Sequence, residues 1–197
     1  MSLQQWATVE CTVEYECRSA RVALQVRIAY YDLGDHVKQR DAYERALPII
    51  AREYGSDSDL VAGVLKNLGI AYRGLGDYAK QRDVLERALS IEEREYGSDH
   101  PEVASTLNNL GNVYWYIDDF AKARDLYARA LVIEEREYGP DHPGVAQALG
   151  NLGCAYNSLG DHAKARDLYE RVLAIKEREY GRDHPNVAIT LNNLGEA

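Results

Sequence analysis

The sequence predicts an all-α fold, an array of helix pairs repeated every 42 residues. Three observations carry that prediction. The string YGSDHP at Tyr96 to Pro101 returns as YGPDHP at Tyr138 to Pro143 and as YGRDHP at Tyr180 to Pro185, with YGSDSD at Tyr54 to Asp59 a looser copy. Two further landmarks keep the same step: LGDH at Leu33, LGDY at Leu75, IDDF at Ile117 and LGDH at Leu159, then Asn-Leu-Gly at Asn67, Asn109, Asn151 and Asn193. Inside each copy the apolar residues recur at helical spacing, and no segment of the copies alternates with period two. A period of roughly 20 to 50 residues marks supersecondary units that bury their apolar faces against their neighbours.

Taken in chain order, residues 1–16 match no part of the repeat. Val9, Cys11, Val13 and Tyr15 alternate there with Glu10, Thr12, Glu14 and Glu16, which is strand-like. A lone strand has nothing to pair with in a helical array, so a frayed or helical extension is expected. The units then span 17–58, 59–100, 101–142 and 143–184, and residues 185–197 supply the first helix of a further, truncated unit. The first unit is degenerate, with Cys17 where later copies have proline and Arg27 where they have glycine, and it fits a capping role.

The third unit shows the local logic. Pro101 opens a first helix where its missing N–H costs nothing, with Asp99 and His100 at the cap. Val103, Leu107, Leu110 and Tyr114 then share one face. Asp118-Asp119 breaks the run, as Gly-Asp does at Gly34, Gly76 and Gly160, and that aspartate caps the second helix. The second helix runs through Ala123, Leu126, Tyr127, Ala130, Leu131 and Ile133, apolar on two sides, and ends at Gly139. Asp125 and Arg129 are expected to pair along its surface at i,i+4. The Glu-Glu-Arg-Glu runs at Glu92 to Glu95 and Glu134 to Glu137 read as solvated helix ends.

Composition narrows the function classes. With 46% hydrophobic and 28% charged residues, the chain of 197 residues is globular rather than disordered. A net charge of −9 disfavours nucleic acid and anionic membranes, both of which select clustered positive charge. The acidity is concentrated in the third unit, where eight acidic residues face four basic ones. No apolar run approaches the roughly 20 residues that span a bilayer, and MSLQQWATVE lacks a signal-peptide core. Three cysteines, Cys11, Cys17 and Cys154, are too few for a disulfide framework, so a reduced, cytoplasmic setting is expected.

No catalytic constellation emerges, and neither a cofactor nor a metal is expected. His100, His142 and His184 precede prolines, and His36 and His162 follow Gly-Asp, so these histidines read as caps and turns, set apart by a full repeat rather than gathered on one ion. Cys154 reads as an inert thiol. The glycines stand in LG and YG turns, not in a phosphate-cradling GxGxxG or P-loop.

Leu107, Leu110-Gly111, Tyr114, Ala123, Tyr127 and Ala130 resemble the tetratricopeptide repeat signature, which sets large, Leu-Gly, aromatic, Ala, aromatic and Ala positions across a helix–turn–helix. The usual unit is about 34 residues, so each copy here is longer by two helical turns. The longer form, with its LNNLG and EREYGxDHP strings, resembles the repeats of kinesin light chains. The resemblance implies a right-handed superhelix whose first helices line a concave groove, and a non-enzymatic interaction scaffold that binds a peptide segment of a partner protein there.

Mapped onto that groove, the inward residues are Lys66, Asn67 and Arg73 in the second unit and Ser105, Asn108, Asn109, Asn112, Trp115 and Tyr116 in the third. Gln147, Asn151 and Asn157 follow in the fourth, then Asn192 and Asn193. An asparagine offers donors and an acceptor together, so the in-register ladder Asn67, Asn109, Asn151 and Asn193, with Gln25 before it, would grip an extended backbone. The same amides could instead bond the neighbouring repeat and set the curvature of the array. Lys66 and Arg73 are the cations of the mapped row and resemble the basic residues with which family members hold acidic peptides. Trp115 and Tyr116 are anchor candidates, with packing of Trp115 on the next unit the alternative. A second reading is self-association through the final helix, with Val187, Leu191 and Leu194 expected to lie uncovered.

Overall fold

The computed structural model describes residues 35–197. The strand-like reading of 1–16, and Cys11, Cys17, Gln25 and Arg27, lie outside the described residues. Within them the chain is all α: α1 (His36–Tyr54), α2 (Asp59–Gly74), α3 (Tyr78–Tyr96), α4 (Pro101–Tyr116), α5 (Phe120–Tyr138), α6 (Val145–Ser158), α7 (His162–Tyr180) and α8 (Pro185–Glu196). Even numbers are first helices of a repeat and odd numbers are second helices.

The caps follow the sequence. Asp35, Asp119 and Asp161 accept the backbone N–H of Lys38, Lys122 and Lys164 at 3.0, 3.1 and 3.3 Å, and Asp77 does the same for Lys80 at 3.1 Å. At the first helices the histidine does this work. His100 and His184 accept from Glu102 and Asn186 through Nδ1, each at 3.2 Å, while their rings stack on Tyr96 and Tyr180. Each cap satisfies one backbone N–H of the first turn that has no partner within its helix. In the fourth unit Gly144 occupies the position held by Glu102 and Asn186. Its amide still reaches His142 Nδ1 at 3.1 Å, but α6 begins only at Val145 because glycine is a weak helix former.

The chain divides into two compact units, Met1–Ile91 and Glu92–Ala197, with the boundary inside α3. In the first, α1 packs on α2. Its core gathers Tyr43, Val61, Leu65, Leu68, Tyr72 and Ile91. In the second, α4 packs on α5, α5 on α6, α6 on α7 and α7 on α8. Leu107, Leu110, Leu149 and Val145 are among its fully buried large residues. The Leu-Gly element is explained by contact distance. A Cβ at Gly111 would stand 2.4 Å from the Tyr127 ring, and one at Gly153 would stand 2.7 Å from Tyr169. In these two repeats the helices touch there through a bare backbone on one side and an aromatic ring on the other, whereas Gly69 faces Leu85.

Three expectations are corrected. The Glu-Glu-Arg-Glu runs are solvated only in their last two residues, Arg94 with Glu95 and Arg136 with Glu137. Glu92 is buried, Glu134 is half-buried, and Glu93 and Glu135 accept from Arg129 Nη2 at 2.5 Å and Arg171 Nη2 at 2.6 Å. The second helix is long enough that its last turns still lie against the following unit. Asp125 does not pair with Arg129; it pairs with Arg124 at 2.6 Å. Arg129 turns instead to Glu93 and the Ser98 carbonyl, two acceptors presented side by side by the preceding unit. Val187 is not uncovered. Like Val103 and Val145 it is 0% exposed, on a helix that packs against α7.

Candidate functional site

The predicted amides separate into two groups. Four make intramolecular hydrogen bonds, those of Asn108 and Asn112 part-buried and those of Asn157 and Asn192 exposed. Asn108 Nδ2 donates to Glu134 Oε1 at 2.7 Å, Asn112 Oδ1 accepts from the Tyr127 hydroxyl at 2.7 Å, Asn157 Oδ1 meets His162 Nδ1 at 2.7 Å, and Asn192 Nδ2 donates to Glu196 at 2.8 Å. The in-register set behaves differently. Asn67, Asn109, Asn151 and Asn193 are all half-buried, and their side chains make no hydrogen bond with any described residue. Asn151 Nδ2 is withdrawn from water with no acceptor. Among the described residues, Asn67, Asn109, Asn151 and Asn193 therefore do not bond a neighbouring repeat. An amide in this state is costly to leave empty, on the order of 1–3 kcal/mol for a buried group.

The remaining predicted residues are more dispersed. Ser105, Arg73 and Gln147 are exposed and Lys66 is half-buried. Trp115 and Tyr116, 38% and 48% exposed, meet edge to face at 5.5 Å. Trp115 also meets Phe120 at 6.4 Å, so its aromatic neighbours lie in its own unit and not the next. Lys66, Asn67 and Arg73 belong to the first compact unit, and the others belong to the second.

Gln147, Asn151 and Asn193 are brought together. They line a cleft of about 380 Å³ bounded by α6, α7 and α8, along with Gly150, Cys154 and Lys176. At its floor the Tyr169 hydroxyl donates to Cys154 Sγ at 3.3 Å, the counterpart of the Tyr127–Asn112 bond one unit earlier. Burial pushes both tyrosine hydroxyls well above the ordinary phenol range, so they act as fixed neutral donors. Lys176 was not anticipated, because it stands on a second helix and the mapping considered first helices. The repeat register held the signal: position 176 corresponds to Glu92 and Glu134, so the fourth unit reverses the charge.

Among the described residues no group of three or more His, Cys, Asp and Glu could hold a metal ion. None of their helices is long and apolar enough to cross a membrane.

A sequence profile of the tetratricopeptide repeat matches residues 20–91, 75–133, 118–178 and 157–197. The chain belongs to the tetratricopeptide repeat family. Solved structures agree on the fold. A Podosopora anserina protein with nearly identical TPR-like repeats, assigned as a kinesin light chain, superposes with a TM-score of 0.78 at 22% identity, over 89% of this chain and 84% of that one. BtubC (BKLC) from P. vanneervenii gives 0.75 at 27% identity, over 91% and 80%. MamA is more distant, at 0.57 and 22% identity over 84% and 82%. A search of curated proteins returns no match. The tetratricopeptide array of this chain thus shares its fold with a kinesin-light-chain-like array.

Proposed function

We propose that this tetratricopeptide array is a non-enzymatic scaffold that holds an extended peptide segment of a partner protein along its first helices. The observation that carries the reading is the contrast among the asparagines: Asn108, Asn112, Asn157 and Asn192 are bonded internally, whereas Asn109, Asn151 and Asn193 keep their amides unspent. An amide that faces a peptide backbone can donate to a carbonyl and accept from an N–H, without reading a side chain. Trp115 and Tyr116 supply exposed aromatic area beside the same helix. Peptides selected on the full chain and measured by fluorescence polarisation test this. The double variant Asn109→Ala with Asn151→Ala is expected to weaken binding by about tenfold or more, each lost hydrogen bond contributing about 1 kcal/mol. The melting temperature should hardly move, since neither side chain bonds the protein. Unchanged affinity, or collapse of the fold, would overturn the proposal.

A second reading, self-association through α8, is favoured by Ile189 and Leu191, 59% and 49% exposed, where Leu107 and Leu149 at the positions equivalent to Leu191 are fully buried. Light scattering against concentration separates it from the first.

A further inference from the structure

The turn that joins α4 to α5 differs from its counterparts in the neighbouring units. Where the second unit has Arg73, Gly74 and Gly76, and the fourth has Asn157, Ser158 and Gly160, the third has Trp115, Tyr116 and Asp118. Two of these positions have become large aromatics, and one has exchanged glycine for a carboxylate. Both aromatics are exposed, and so is Ile117 beside them. Trp115 meets Tyr116 at 5.5 Å and 78°, and Phe120 at 6.4 Å and 62°. Rings that meet at such steep angles do not cover one another face to face, which leaves ring faces on the exposed side.

The charge around these rings has one sign. Residues 115–120 contain two acids and no base. Asp119 is engaged as the cap of α5, accepting the Lys122 N–H at 3.1 Å. Asp118 is exposed, and its carboxylate makes no hydrogen bond or ion pair with any described residue. The first bases along α5 are occupied elsewhere: Lys122 Nζ lies over the Tyr114 ring at 4.2 Å, and Arg124 pairs with Asp125 at 2.6 Å. Asp118 also holds φ 63°, a left-handed backbone that its glycine counterparts adopt without a side-chain penalty. An uncompensated carboxylate kept at that cost beside exposed aromatic faces complements a cation, because the ring quadrupole and the anion both attract one.

We propose that the aromatic turn at residues 115–118 is a docking site for a cationic side chain, a lysine or arginine carried by a basic segment of a partner protein. Charge complementarity selects that occupant. The third unit, with eight acids against four bases, repels an anionic partner, and a purely apolar one would leave Asp118 unpaired on burial. The site goes beyond the peptide-groove reading and does not depend on it, since it reads a side chain at the end of α4 where the asparagine ladder would hold a backbone.

The test titrates the full chain, isotope-labelled, with three capped peptides: acetyl-Ser-Ala-Lys-Ala-Ser-amide and its Arg and Gln counterparts. The Trp115 indole N–H and the Asp119 backbone amide report the turn by nuclear magnetic resonance, and the side-chain amides of Asn109 and Asn151 report the groove. The Lys or the Arg peptide is expected to bind about fivefold tighter than the Gln peptide and to move the turn signals. Trp115→Asn, which installs the fourth unit's residue, should abolish that ratio. Asp118→Gly, which installs the glycine of both neighbouring units, should abolish it without lowering the melting temperature, so that unfolding is excluded as the cause. Attraction to the chain's net charge of −9 alone would survive both variants. A ratio that persists in them therefore overturns the proposal, as does equal binding of the three peptides to the parent chain. A basic peptide that moves the turn signals and leaves Asn109 and Asn151 unmoved upholds this site and counts against the groove reading. Movement of those two amides with no preference for a basic residue upholds the groove reading and removes this site.

Discussion

At the scale of single residues, the Asn108–Glu134 pair is the most consequential polar contact of the third unit. Asn108 donates one hydrogen bond, yet Asn108 Oδ1 and Glu134 Oε2 are both buried with no donor. Burial pushes the Glu134 carboxyl above its usual range, and the bond from Asn108 opposes the shift. A carboxyl whose pKa is higher in the folded state stabilises the fold below its unfolded pKa, and that contribution is lost as pH rises through the folded value. Glu134→Gln keeps an acceptor for Asn108 and adds an N–H donor. In urea unfolding the variant is expected to be more stable than the parent at pH 7, with the gain gone by about pH 4. A gain of equal size at both pH values would contradict this account. Tyr72 shows the same physics in the first compact unit, its hydroxyl pushed up to about 12 by burial and by Glu44, to which it donates at 2.6 Å. None of these partners was legible in the sequence. The residues were visible, but which polar atom meets which depends on helix contacts that a linear pattern does not encode.

At the scale of elements, the helices and their caps were legible because the forces that define them are local. Asp35, Asp119 and Asp161 cap as anticipated, and the histidines before proline cap through Nδ1. The turn between helices of the third unit departs from its siblings in a way the sequence marks but does not price. Asp118 adopts φ 63°, the left-handed region held by Gly76 and Gly160 at 72° and 79° in the other units. A side chain there is disfavoured relative to glycine. Asp118→Gly is therefore expected to raise stability by about 0.5–1 kcal/mol, seen as an upward shift of about 2 °C in calorimetry. No shift, or a lower transition, would mean that the aspartate side chain stabilises the turn by more than its backbone costs. Gly144 shows the limit of element-level reading: its backbone is helical at φ −60° and ψ −28°, but the regular helix begins one residue later.

At the scale of the whole molecule, the second compact unit is laced by arginines reaching back about one repeat. Arg129 and Arg171 bind Glu93 and Glu135, and Arg136 reaches Asp99 Oδ2 at 2.9 Å, while Arg178 meets the Asp141 backbone. These pairs are substantially exposed, so each contributes little to stability, and their larger role is to fix which turn lies against which. The face of α8 that no described helix covers is the other feature at this scale. If it self-associates, light scattering should show mass rising with concentration, and Leu191→Asp should return the chain to a monomer, since burying an unpaired charge at an apolar contact is strongly unfavourable. A parent chain that stays monomeric at high concentration would sink the self-association reading and leave the groove reading untouched.

The sequence by itself determined the period, the helix pairing, the caps and the family, because repetition and local propensity need no knowledge of distant contacts. It also carried the asparagine register. Only the tertiary structure decided which asparagines are already bonded, that Val187 is buried, that the glutamate runs serve the next unit, and that Gly150 and Lys176 face one cleft. Those outcomes turn on side chains from different helices, some 15 to 37 residues apart, meeting within a few ångström. Helix stacking fixes such meetings, and no periodicity along the chain does.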